Sequence, residues 1–99
     1  MTAERLDAFD PELLRDIAAD LRGELDRVQD QMADLTARHE RARALKHIFG
    51  GDTLSRDRLD HLQDNIDQYP GKMAELREEE RLLTRWLDRC SRLLLPKAA

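Results

Sequence analysis

Residues 11–51 read PELLRDIAADLRGELDRVQDQMADLTARHERARALKHIFGG, and this stretch decides the fold. Asp10 before it is a good N-cap, and Pro11 sits at the first helical position, where its missing N–H costs nothing. Phe9 and Leu14 are spaced as a hydrophobic staple. From there the apolar residues repeat by seven. Leu14, Leu21, Val28, Leu35, Ala42 and Phe49 hold one position; Ala18, Leu25, Met32, His39 and Lys46 hold the other. Steps of four and three alternate without a slip, the signature of one long helix with a narrow coiled-coil seam. Gly50–Gly51 then predicts a stop, with the left-handed conformation that ends many helices.

Working outward, the second half repeats the pattern. Asp52, Thr53 and Ser55 are candidate caps, and Ser55 is preferred because Leu54 and Leu59 form a second staple. Leu59, Ile66, Met73, Glu80, Leu87 and Leu94 step by seven, with Leu62, Tyr69, Leu76, Leu83 and Cys90 in the other seam position. The phase runs straight through Tyr69–Pro70–Gly71, although proline disfavours α conformation in the residue before it. The reading is a helix kinked or broken near 69–71.

The expected fold is therefore all-α: a long antiparallel helical hairpin, coiled-coil-like, that oligomerises. Residues 1–9 form an N-terminal extension and 10–95 the hairpin domain. Within it, helices over about 11–49 and 55–95 are joined by a turn at 50–54; 96–99 is a tail. Each arm is about 60 Å long at 1.5 Å per residue. A tight turn places position 39 near 65–66 and position 80 near 24–25.

Composition agrees. The 99 residues are 40% hydrophobic, 38% charged and 4% aromatic, too apolar for disorder and too poor in aromatics for a thick core. The longest apolar run, Leu93–Leu95, falls far short of the roughly 20 residues that span a bilayer. No apolar stretch opens the chain as a secretory signal would. Cys90 is the single cysteine, which suits a reducing, cytoplasmic setting.

Some apolar residues fall off the seam. Leu6, Leu13 and Ile17 lie at one end opposite Leu82, Trp86, Leu93 and Leu95, with Leu45 and Ile48 at the turn. A two-helix hairpin cannot bury them, so Leu13, Ile17, Leu82, Trp86, Leu93 and Leu95 are read as an oligomer or partner interface.

Residues 38–58 carry Arg38, Arg41, Arg43, Lys46, Arg56 and Arg58 against Glu40, Asp52 and Asp57, a local charge of +3 within a chain of net charge −4. These six bases are the candidate phosphate contacts, giving weak, nonspecific DNA binding. Arg81, Arg85 and Arg89 are expected to bridge across to the acidic first turns at Asp10, Glu12, Asp16 and Asp20. His39, Lys46 and Glu80 are polar seam residues, read as edge positions whose heads reach water. His47 could approach His61 at the turn, but two histidines without a fixed carboxylate do not make a metal site. Cys90 reads as a packing residue. No catalytic, cofactor or metal site is expected.

The hairpin plan of residues 10–95 resembles the oligomerisation region of small terminase subunits from tailed phages, whose hairpins pack into rings that present DNA to a packaging motor. That resemblance is architectural and motif-free, and this chain lacks the family's usual N-terminal helix-turn-helix. The plan also resembles small secretion-system chaperones that cap a partner's helix. A third layout, that of all-helical chorismate mutases, is similar in element lengths, with Arg56–Asp57–Arg58 near that family's acid–arginine cluster. Such a reaction needs several inward cations, and here only Lys46 and His39 face the seam. The reading that needs least is a non-enzymatic adaptor or scaffold acting through self-association and protein contacts.

Overall fold

The computed structural model describes residues 9–50 and 56–95. It consists of two helices of 39 residues each, α1 (Pro11–Phe49) and α2 (Arg56–Leu94), packed as a hairpin. The rod measures 72 × 25 × 19 Å. No strand occurs among the described residues.

The start of α1 is capped as its sequence dictates. The Asp10 side chain accepts a hydrogen bond from the Glu12 amide at 3.0 Å, and the Asp10 carbonyl accepts from the Leu14 amide at 3.1 Å. The first of these satisfies a donor that the helix start would leave unpaired, and the second is the first regular bond of the helix. Helix α1 stops where Gly50–Gly51 predicts, and Gly51, the residue after the C-cap, lies outside the described residues. Gly50 has φ −65° and ψ −9°, right-handed rather than left-handed. Its lack of a side chain serves closeness instead: a Cβ there would lie 2.9 Å from the Lys46 carbonyl oxygen. The candidate caps Asp52, Thr53 and Ser55 and the Leu54 staple lie outside the described residues.

Helix α2 runs unbroken through Pro70. Proline there removes one backbone bond and strains the residue before it. The seam continues on both sides, and its contacts hold the backbone helical. Tyr69, the residue before the proline, stacks on His39 with ring centroids 3.9 Å apart. Its hydroxyl shares a 3.3 Å hydrogen bond with Thr36 Oγ1. Met73, on the next turn, is buried.

All six buried residues occupy seam positions: Leu14, Val28 and Ala42 on α1, and Met73, Leu83 and Cys90 on α2. None of the described side chains falls below 2% exposure, so the core is one residue deep. The register differs from the tight-turn expectation by about one helical turn. His39 meets Tyr69 rather than 65–66, and Glu80 accepts from Gln29 at 3.3 Å rather than facing 24–25. The length of the connection does not account for the shift, since α2 begins at Arg56, one residue from the expected start.

Candidate interaction surface

The seam divides the hairpin into two long faces with different chemistry. Residues that immediately follow a seam residue line one face, here called the back. Residues that immediately precede one line the other, the front. Antiparallel packing brings like faces of the two helices together, and the grooves along the rod show it. Gln31, Asp34 and Arg38 of α1 share a front groove with Lys72 and Glu75 of α2. Leu45 shares another with Arg58 and His61. On the back, Ala33, Thr36 and Glu40 share a groove with Arg77, and Arg43, His47 and Gly50 line one that reaches Ile66.

Every polar bond between the two helices lies at the seam or on the back. Gln29 Nε2 donates to Glu80, Thr36 bonds Tyr69, and Lys46 Nζ donates to Gln63, which in turn donates to Asp67 at 2.7 Å. Lys46 and Glu80 thus reach the back edge, where their heads find partners, whereas His39, also expected at the edge, stacks on Tyr69 with its Nδ1 buried. Among the described residues no hydrogen bond or ion pair links the helices across the front.

The front instead carries the apolar excess. Leu13, Ile17, Leu45, Ile48, Leu82, Trp86 and Leu93 each immediately precede a seam residue. Leu13, Ile17 and Trp86 are 48%, 40% and 41% exposed, while Leu82 and Leu93 are half-buried. These five form one strip at the open end. Leu95 does not join it: it lies beyond the last residue of α2 and is exposed. Ile48, 67% exposed at the turn end, extends the same face; the sequence placed it off the seam but outside the expected interface. Its position just before the seam residue Phe49 is the signal that marks it.

The six candidate phosphate contacts do not converge. Arg41 and Arg58 lie on the front, whereas Arg43 lines the back groove. Arg38 pairs with Asp34 four residues earlier, and Lys46 is held by Gln63. Arg56 is exposed in the first turn of α2. The expected cross-arm ion pairs are absent among the described residues. Arg81 pairs with Glu78 at 3.3 Å and Arg92 with Asp88 at 2.8 Å, each on its own helix. Partners three or four residues apart on one helix are already within reach, so no bridge across the seam is required. His47 and His61 lie on opposite faces and do not approach each other.

Among the described residues no three metal-ligating side chains come together. Cys90 is free and buried in the seam. No described helix is long and apolar enough to cross a membrane. Comparison with known proteins finds no matching family, no matching curated protein and no matching solved structure.

Proposed function

We propose that the chain is a non-enzymatic scaffold or adaptor that acts through protein contacts and associates with itself. The observation that carries this reading is the exposed apolar strip of Leu13, Ile17 and Trp86, on a face that no hydrogen bond or ion pair crosses between the helices among the described residues. A core one residue deep leaves a hairpin this thin short of stabilising burial, and association supplies more. The test is absolute mass in solution by light scattering, at low and high salt, for the natural chain and for Trp86→Ala. An assembly is expected. Trp86→Ala is expected to weaken it by more than about 1 kcal/mol, as for an aromatic anchor at an interface. A monomer at every concentration overturns the reading.

A second reading is weak contact with a nucleic-acid backbone at the turn end, supported by Arg41, Arg43, Arg56 and Arg58. All four are exposed and make no ion pair with a described residue. This is the feature shared with the ring-forming terminase plan. Arg41→Glu with Arg43→Glu should weaken such binding and flatten its salt dependence. Binding unaffected by the pair removes the turn end from consideration.

A further inference from the structure

The front face is flanked by charges of opposite sign on its two helices. Near the open end, α1 contributes Asp16, Asp20 and Glu24 beside the apolar strip, and α2 contributes Arg85 and Arg89. The contacts His39–Tyr69 and Gln29–Glu80 fix which residues stand at one level along the rod. Continued at the same offset, they put Asp20 level with Arg89. Both residues precede seam residues, so both face forward from the outer edges of the front. No ion pair within the chain joins them.

A second copy packed front to front has two symmetric arrangements, because a two-fold contact uses the same patch on both chains. With the axis across the rod, the turns point opposite ways and α1 lies over α1. Acidic edge then meets acidic edge, and arginine edge meets arginine edge. With the axis along the rod, both turns point the same way and α1 lies over α2. Asp20 then meets Arg89 of the second copy, twice per dimer. Further along, the same offset puts Arg27 level with Leu82 and Asp34 level with Glu75, so the matched charges belong to the open end. The apolar strips stay level with each other, since rotation about the rod leaves every residue at its height.

We infer that the front face binds a second copy of this chain in parallel, forming a four-helix bundle in which the acidic edge of α1 packs on the arginine edge of α2 of the other copy. This rests on the self-association proposed above and adds its geometry. Charge decides between arrangements that bury the same apolar residues, which is the usual contribution of edge charges to an interface.

The experiment is a charge swap read by sedimentation or light scattering. Asp20→Arg alone and Arg89→Asp alone should each weaken the dimer about tenfold, as two exposed ion pairs become two repulsions. An equimolar mixture of the two variants should assemble like the natural chain, because both pairs are restored in the mixed dimer. Neither residue has an ion-pair partner among the described residues, so circular dichroism should show both variants folded. A second readout uses a spin label at Ala44→Cys in a Cys90→Ala background. Parallel copies place the two labels within about 40 Å, whereas opposed copies place them roughly 80 Å apart at 1.5 Å per residue. A dimer tightened by Asp20→Arg, or labels at the longer distance, overturns the parallel arrangement while leaving self-association intact. A monomer overturns both.

Discussion

The imidazole of His39 lies against the phenol ring of Tyr69 with centroids 3.9 Å apart and planes within 16° of parallel, in the middle of the seam. The stack ties α1 to α2 at the residue that precedes Pro70, where the backbone most needs support. It also leaves His39 Nδ1 buried without a hydrogen-bond partner. That cost marks the contact as one of ring packing rather than of polar complementarity.

Tyr69→Phe keeps the stack and removes the bond to Thr36. It should lower stability by about 0.5–1.5 kcal/mol, the usual value of one such bond. Tyr69→Ala removes both and should cost more, with the loss seen in a urea titration. Equal effects of the two substitutions would show that the ring contributes nothing.

Pro70 is exposed and lies inside α2, where the backbone is already helical. Pro70→Ala restores an amide that can donate to the Ile66 carbonyl and removes the ring's steric clash. The substitution should raise stability by up to about 3 kcal/mol, read as a higher urea midpoint. Unchanged stability would mean that the helix has absorbed the proline at no cost.

Removal of the α1 cap by Asp10→Ala should cost about 1 kcal/mol, because the Glu12 amide loses its acceptor. Asp10→Asn should keep most of the effect. Amide exchange is expected to quicken in the first turn of α1 and nowhere near the turn end.

Gly23 and Gly50 should respond differently to alanine. A Cβ at Gly23 meets nothing within 4 Å, so Gly23→Ala should stabilise by about 0.5–1 kcal/mol through helix propensity alone. At Gly50 the same Cβ presses on the Lys46 carbonyl, so the gain should shrink or reverse. Identical melting shifts for the two variants would remove that contact as an explanation.

The hairpin itself was legible because periodicity and punctuation agreed. The four-three alternation from Leu14 to Phe49 fixed the seam, and Asp10–Pro11 fixed where α1 begins. Register was less legible. A seam of near-identical steps slides by a turn with little loss, and the fit of His39 to Tyr69 chooses among the positions. The ion pairs were misplaced because charge complementarity across the seam was given more weight than partners one turn away. The off-seam residues Leu13, Ile17, Leu82, Trp86 and Leu93 could be recognised as unburied from spacing alone. That they share a face follows only once the antiparallel packing is known.

Where no described side chain is fully enclosed, interior and exterior are the same residues viewed from two sides. A substitution at Leu21, Leu35 or Leu87 alters the folding of the rod and the surface it presents in one step. Such a chain cannot drift in its binding while its stability stays fixed, as a thick-cored domain can. Its sequence is therefore expected to change in compensating pairs across the seam, and a lineage that acquires a new partner should carry the record of it in its core.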